Sequence, residues 1–416
     1  MFRFSLFSLS FIGMNLLFPD SGHADVPLAL PTAIERVLSQ NPALQASAQQ
    51  VEAALGRQTQ AAVFPNPTLS VALEDLGGQS GSSPSRASTI INFSQSVELG
   101  RKRDYRTAIA TVNTREAEQA LLLRRLDMVR DTRLAFVEVQ AAAARLRLAQ
   151  EAQALALDFK SIVQTRVTAG KVSPIEASRA LVAFKVAEQR TVRAERALAQ
   201  ARYQLAALWG GQPAVTEISV PLELPVVEES LTVDPLVAHP TIKQMTLAVQ
   251  RQQVAVRASD AQRIPDVTVS AGVKREAVTQ ENSLQVGISV PLPFFDRRQG
   301  ERHAARAELG VAEAELESAR LRLESDIARE RQRLTATRAE VMNLRENVLS
   351  LAEQTFSLSQ EGYRAGKFSL LDVLDTEQAL LEVRNTYLET RVGYHHAAIA
   401  LDRLLGREPI SAEITP

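Results

Sequence analysis

The stretch that decides the fold is Tyr363–Asp375, which reads YRAGKFSLLDVLD and lies between two long helical patterns. Gly366 can take the left-handed conformation that ends a helix. Ser369 can cap the next helix, and Asp372, three positions further on, can complete a capping box. The stretch therefore predicts the turn of a helical hairpin.

The same turn occurs once more, at Val167–Arg179, which reads VTAGKVSPIEASR. Here Gly170, Ser173 and Glu176 take the corresponding places, each 196 residues before its counterpart. We expect the same capping roles for them. The chain therefore contains a helical hairpin twice, and the function of the two hairpin tips becomes the main question.

Composition narrows the class of protein. The chain has 416 residues, a net charge of −1 and no cysteine. The balanced charge gives no reason to expect nucleic acid as a partner, and the missing cysteine excludes disulfides and a lipid attached through an N-terminal cysteine. Residues 1–24 are typical of a signal peptide, with Arg3, an apolar run over Phe4–Phe18 and cleavage after Ala24. The alternative, a retained membrane anchor, is less favoured because the run is shorter than the ~20 residues of a spanning helix.

The mature chain divides into two halves with the same order of signals. We predict a first repeat over residues 25–210, a linker over 211–230, a second repeat over 231–406 and a tail over 407–416. The first helical pattern runs to Val63 with Asn41-Pro42 inside it, and the second has His239-Pro240 in the matching place.

A β-hairpin follows the first helix in each half, at residues 66–99 and 265–293, with a loop rich in Gly, Ser and Pro at Gly77–Ser85. Apolar and small polar residues alternate along these strands, which predicts two faces in different solvents. Long helices then follow. From Arg101 to Thr168 there is no proline and no internal glycine, and apolar residues recur with coiled-coil spacing.

Two hairpins per chain are too few to close a barrel, and open sheet edges are not tolerated in lipid. The length and alternation of the strands match those of transmembrane β-strands. We therefore expect several chains to build one barrel, with the long helices forming a tube below it. The alternative is an exported structural coiled-coil protein whose strands pack as a small sandwich.

Several segments resemble the TolC-type outer-membrane factors, and in particular their CzcC-like branch. They are VELGRKR at 97–103, AGKVSPIEA at 169–177, LAALWG at 205–210, VPLPFFDRRQG at 290–300 and AGKFSLLDVLD at 365–375. The resemblance implies an α+β membrane protein: a trimeric 12-stranded transmembrane β-barrel, with four strands per chain, continued by a long α-helical periplasmic barrel. It also implies an outer-membrane location, a homotrimer, and contacts with outer-membrane lipid, a periplasmic adaptor and an inner-membrane resistance–nodulation–division pump.

The resemblance also assigns roles to residues at the tips. Asp372 and Asp375 match the segment that lines the periplasmic aperture, where a trimer would place rings of carboxylates that attract cations. Tyr363 is a candidate latch of that gate, and Glu176 is the acidic counterpart in the first repeat. Each has a plainer alternative, which is helix capping for Asp372 and packing at a helix end for Tyr363. The residues expected to dock the adaptor are Gly170, Lys171, Ser173, Gly366, Lys367 and Ser369, of which the glycines are needed by the turns in any case.

Other site chemistry is not indicated. His239 and His303 are isolated, and His395 and His396 are neighbours that face different sides of a helix, so we expect no metal site and no cofactor. There is no phosphate-binding loop, nucleophile elbow or HExxH motif, so we expect no catalytic residues and no enzyme. The resemblance implies the exit channel of a tripartite efflux pump for divalent cations such as cobalt, zinc, cadmium or nickel. The same channel serving drug or small-molecule export is the alternative.

Overall fold

A computed structural model describes residues 28–75, 87–211 and 239–406. The predicted signal peptide, the Gly77–Ser85 loop, the linker beyond residue 211 and the tail lie outside the described residues. In chain order the elements are α1 Leu30–Gln40, α2 Pro42–Ala61, β1 Thr68–Glu74, β2 Ser88–Val97, α3 Lys102–Thr168, α4 Pro174–Ala207, α5 Pro240–Ala261, β3 Val267–Glu276, β4 Asn282–Ser289, α6 Gln299–Asn343, a π-helical segment Leu344–Leu349, α7 Ser350–Arg364 and α8 Leu370–Leu404.

The four strands form one antiparallel sheet in the order β1-β2-β3-β4. The two hairpins are therefore neighbours, because β2 of the first repeat pairs with β3 of the second, with Phe93 opposite Ala271. In the described part of the chain, β1 and β4 each have a partner on one side only. Both outer edges of the sheet thus carry unpaired backbone groups.

The sheet has one apolar and one mainly polar face. One row across the strands places Leu69, Phe93, Ala271 and Val286 side by side, and the apolar residues of β1 and β4 on this face are more than half exposed. The opposite face carries Ser70, Asn92, Gly272 and Gln285 in one row. The alternation in the sequence is confirmed as two chemically distinct surfaces, and no helix of the described chain covers the apolar one along β4.

Helices α2 and α5, at corresponding places in the two repeats, each begin at a side-chain cap. Asn41 interrupts the first helical pattern, which corrects the prediction of one helix to Val63: it ends α1, and its side chain caps α2 by accepting from the amides of Ala43 and Leu44. The reason is Pro42, which lacks an amide proton and disfavours helical backbone at the preceding residue. His239 caps α5 in the same way, with Nδ1 accepting from the Thr241 amide at 3.2 Å.

The long helices are the second main feature. The 67 residues of α3 span roughly 100 Å at 1.5 Å per residue and pack against α4. The second repeat differs, because its long helix contains a π-helical segment between α6 and α7. The helices share small apolar clusters along their length, for example Phe136 and Val139 of α3 with Leu198 and Leu205 of α4. This arrangement produces an elongated bundle that ends in two tips.

Ion pairs join the two repeats along α3 and α8. Arg133 bonds Asp402 at 2.8 Å, and Arg403 bonds Asp127 at 2.8 Å. At the start of α3, Lys102 bonds Asp266 at 2.7 Å, which fixes the strand-to-helix junction of the first repeat against the second. These ion pairs therefore hold the two repeats together in the part of the bundle nearer the sheet.

Candidate functional site

The two hairpin tips have the same backbone geometry. Gly170 and Gly366 have φ values of 66° and 74°, in the left-handed region that glycine adopts most readily. Behind them, the Lys171 amide donates to the Arg166 carbonyl at 2.9 Å, and the Lys367 amide donates to the Gly362 carbonyl at 2.8 Å. This 6→1 bond is the mark of a Schellman cap, so both predicted turns are confirmed.

The start of α8 is held by the predicted capping box. The Asp372 amide donates to the Ser369 hydroxyl, and the Ser369 amide and hydroxyl donate to the Asp372 carboxylate at 2.8 and 2.7 Å. These bonds lower the pKa of Asp372, chiefly because the Ser369 hydroxyl stabilises the ionised form. The capping role of Asp372 is therefore confirmed, and its carboxylate is still exposed at the tip.

The first tip lacks the second half of that box, which corrects the prediction for Glu176. Ser173 caps α4 by accepting from the Ile175 amide at 3.3 Å, with Pro174 at the first helical position. Glu176 is half-buried, and its Oε2 has no hydrogen-bond partner within the described residues. Since Glu176 makes no bond to the cap, its carboxylate is not used by the turn.

Tyr363 is buried between the two hairpins, with 2% of its surface exposed. Its ring meets Phe159 edge-on at a centroid distance of 6.4 Å, and it belongs to a cluster with Val163, Leu370 and Val373. In the described chain its hydroxyl has no hydrogen-bond partner. Within one protomer, Tyr363 therefore acts as an aromatic packed at a helix end.

Sequence reasoning missed Arg166, the partner of Tyr363. Its guanidinium carbon lies 4.7 Å from the centre of the Tyr363 ring, and its Nη1 donates to the Tyr363 carbonyl at 3.2 Å. Arg166 lies four residues before Gly170, whereas its counterpart before Gly366 is Gly362. This difference between otherwise matching turns was the signal that could have indicated the contact.

The exposed charged groups at the tips include Asp372, Asp375, Lys171, Lys367 and Arg364. Asp372 and Asp375 are one helical turn apart at the start of α8, so they lie near the same side of that helix. The structure thus brings together a carboxylate pair on one tip, with a lysine on each turn. Tyr363 and Arg166 lie behind them in the core.

A groove of about 510 Å³ runs between α4 and α8 just above the tips, with α3 as its floor. Its walls include the exposed apolar residues Ile175, Val182 and Leu371, and Arg190 and Glu377 lie in the same groove. Burial raises the pKa of Glu377, and the positive charge of Arg190 partly offsets that effect. The sequence signal that could have indicated this groove is the set of apolar residues Ile175, Val182 and Val186 on α4.

The described residues contain neither a metal-binding cluster nor a helix that could span a bilayer. Residues 28–75, 87–211 and 239–406 contain no group of three or more His, Asp or Glu side chains that could hold a metal ion. Over the same ranges, every helix is too short or too polar to cross a bilayer.

Two histidines in the described chain have lowered pKa values. Burial lowers the pKa of His239 and His396, and at His239 the charge of Arg403 lowers it further.

Comparison with known proteins identifies the family. The model of the family described as "Outer membrane efflux protein" matches residues 33–211 and 232–407, which is most of the chain. The chain belongs to the outer membrane efflux protein family. This efflux protein is therefore an outer-membrane channel, and the resemblance seen in its sequence motifs is confirmed.

Relatives and solved structures agree with that assignment. The efflux protein is 33% identical over 393 residues to the cobalt-zinc-cadmium resistance protein CzcC of Cupriavidus metallidurans, covering 92% of this chain and 90% of that one. It is 27% identical to the nickel-cobalt-cadmium resistance protein NccC of Alcaligenes xylosoxydans xylosoxydans, over 71% of this chain and 68% of that one. Its fold is similar to that of the outer-membrane channel OprN, with a TM-score of 0.79 and 18% identity over 91% of this chain and 89% of that one. Its fold is also similar to that of the channel CusC, with a TM-score of 0.78 and 18% identity over 90% of this chain and 91% of that one.

Proposed function

We propose that this efflux protein is the exit duct of a tripartite pump that removes divalent heavy-metal cations such as cobalt, zinc, cadmium or nickel. The observation that carries the proposal is the 33% identity, over 92% of the chain, to a cobalt-zinc-cadmium resistance protein. A duct of this kind needs no tight metal site, because conduction requires release of the cargo. The alternative of a structural coiled-coil protein is replaced by the family assignment.

The sheet supports assembly from several copies. Its apolar face suits lipid, but the single-sided pairing of β1 and β4 would leave polar backbone groups unsatisfied in a membrane. Pairing β1 of one protomer with β4 of the next removes both edges. We infer a homotrimer whose twelve strands close a transmembrane barrel, with the helices continuing it as a periplasmic barrel.

In this assembly the tips face the periplasm. Asp372 and Asp375 of three protomers would form two carboxylate rings around the axis, which favour cations over anions at the aperture. Tyr363 is the candidate latch, and Glu176, whose Oε2 has no partner in the described chain, is available to a neighbouring protomer. The proposed docking surface for a periplasmic adaptor and its inner-membrane pump consists of Gly170, Lys171, Ser173, Gly366, Lys367 and Ser369.

Deletion of the gene tests the cargo. We expect the deletion strain to become sensitive to zinc, cobalt or cadmium, and we expect the wild-type gene supplied in trans to restore growth. Sensitivity to organic drugs alone would reject the metal proposal and favour the drug-export alternative. Outer-membrane fractionation with heat-modifiable trimers on gels tests the assembly separately.

A further inference from the structure

A cleft of about 530 Å³ opens where α2 passes into β1. Its lining includes Arg57 and Gln60 from α2, Phe64 and Asn66 from the connection, and Arg106 from α3. Arg103, one turn before Arg106, lies over the Phe64 ring, with 3.9 Å between its guanidinium carbon and the ring centre. Phe64 itself is 68% exposed. Two arginines and an exposed aromatic ring therefore line the cleft, and a third arginine lies over that ring.

Among the residues that the structure describes, Arg106 is the one of these arginines that has an acidic partner. Arg106 bonds the Glu98 carboxylate and also donates to the carbonyls of Ala61 and Val63, at 2.9 and 3.1 Å, so it builds the wall of the cleft. Within the described residues, Arg57 and Arg103 form no ion pair. The cleft therefore keeps an excess of two positive charges.

The second repeat shows what the fold alone requires at this place. There Asp266 stands where the first repeat has Asn66, and it bonds Lys102 at 2.7 Å and accepts from the Leu99 amide. Arg302, near the start of α6, is paired with Asp260. Arg257 stands where the first repeat has Arg57, and within the described residues it also forms no ion pair. Ile264 stands in place of Phe64 and Gly300 in place of Arg103, so the fold does not require the aromatic ring with an arginine over it.

The cleft lies at the end of the apolar sheet face. Leu69, Val71 and Leu73 of β1 are each at least 60% exposed, and Phe64 precedes Leu69 by five residues, which extended chain covers in roughly 17 Å. Aromatic girdles, and arginine side chains that extend towards the headgroups, are characteristic of the boundary between hydrocarbon and headgroups in β-barrels. The surface thus changes from apolar at Leu69 to cationic beside Phe64 within roughly 17 Å of chain.

We propose that this cleft binds the phosphate of an anionic phospholipid in the periplasmic leaflet of the outer membrane. The inference rests on the proposed function, which places the sheet in the bilayer. Arg57 and Arg103 would bind the phosphate oxygens through charge-assisted hydrogen bonds, and Gln60 and Asn66 offer donors and acceptors to a glycerol headgroup. The acyl chains would lie along the apolar face of β1.

The test uses the full chain purified in detergent, with phosphatidylglycerol and phosphatidylethanolamine of the same acyl chains as probes in native mass spectrometry. We expect wild-type protein to bind phosphatidylglycerol more tightly, by about tenfold, and the double variant R57Q/R103Q to lose that preference. The matched control is R101Q/R298Q, which removes two junction arginines that are each paired with an acid three residues on. The control should keep the preference.

Equal binding of the two lipids by wild-type protein would overturn the proposal without any variant. So would an equal loss in R57Q/R103Q and R101Q/R298Q, which would indicate only general attraction to positive charge. Competition by inorganic phosphate with full displacement of the lipid would also overturn it, since a free anion would then suffice. Heat-modifiable trimers in the outer-membrane fraction are measured in parallel, so failure of the channel proposal is seen independently of lipid binding.

Discussion

Arg166 covers the ring of Tyr363 and bonds its carbonyl, so a residue at the end of α3 clasps a residue at the end of α7. The contact joins the two hairpins within one protomer, one turn behind the exposed tips. Any outward movement of the α7–α8 hairpin relative to α3 and α4 has to separate or carry along this pair. In the proposed gate, the packing of this buried tyrosine would resist opening of the tips.

Two substitutions of Tyr363 distinguish the contribution of its ring to stability from that of its hydroxyl. Tyr363→Phe is expected to leave the thermal unfolding midpoint unchanged or to raise it, because the hydroxyl is buried without a partner in the described protomer. Tyr363→Ala should cost about 3–5 kcal/mol through the cavity it leaves. Unfolding of the detergent-purified protein measures both. If Tyr363→Phe destabilises the protein as much as Tyr363→Ala does, the hydroxyl has a partner in the assembly. Unchanged single-channel conductance in the Tyr363→Phe variant would count against a latch.

Adjacent residues of β4 test the two faces of the sheet. Val286 is 72% exposed on the apolar face, and Gln285 points to the opposite face. Val286→Arg should cost about 2–4 kcal/mol in a bilayer and deplete the protein from the outer-membrane fraction. Gln285→Arg is the control and should leave that amount unchanged while altering conductance. Equal depletion of both variants would contradict the assignment of the faces.

The two aperture carboxylates should respond differently to amidation. Asp375→Asn is expected to lower the preference for cations over anions, measured by reversal potentials in planar bilayers, without changing stability. Asp372→Asn should lower the preference and also destabilise α8, because it weakens the capping box. The low pKa of Asp372 means that its stabilising effect is present at neutral pH and is lost as the pH falls through that lowered value. Unchanged selectivity in both variants would reject the carboxylate rings.

His239 predicts a pH effect at the other end of the bundle. Its pKa is lowered from the ordinary value of 6.5, so the folded state binds fewer protons than the unfolded state just below that value. Stability should therefore fall as the pH drops from about 7.5 towards 5.5. His239→Asn, which copies the cap that Asn41 provides in the first repeat, should remove much of this dependence. Thermal midpoints across the pH range measure it, and an identical slope in the variant would assign the effect to other groups.

Much of the fold could be predicted because local chemistry determines it. Gly170 and Gly366 end helices by backbone conformation, Ser369 and Asp372 cap by neighbouring hydrogen bonds, and the strands alternate residue by residue. Each signal lies within a few positions of the element it forms. The exception at Asn41 is also local, since the effect of Pro42 on the preceding residue outweighs the surrounding helical pattern.

The site was harder to predict because its contacts cross the chain. Arg166 and Tyr363 are 197 residues apart, and the sequence around either residue does not indicate its contact with the other. Glu176 occupies the right position for a capping box, yet in the described chain its side chain makes no hydrogen bond to the cap. The groove with Arg190 and Glu377 exists only because α4 and α8 lie on either side of α3. These features depend on how the hairpins pack.

The pairing of β2 with β3 has a consequence for the order of folding. Ser94 and Ser270 are adjacent in the sheet but separated by 176 residues, most of which form long helices. Closing so large a loop is slow, whereas the hairpins α3–α4 and α7–α8 have short turns and local contacts. We therefore expect each helical hairpin to form before the sheet. The sheet edges with unpaired backbone groups would then appear late, shortly before the chains assemble. On this expectation, the large sequence separation of β2 and β3 delays exposure of the unpaired sheet edges and so lowers the risk of aggregation during export.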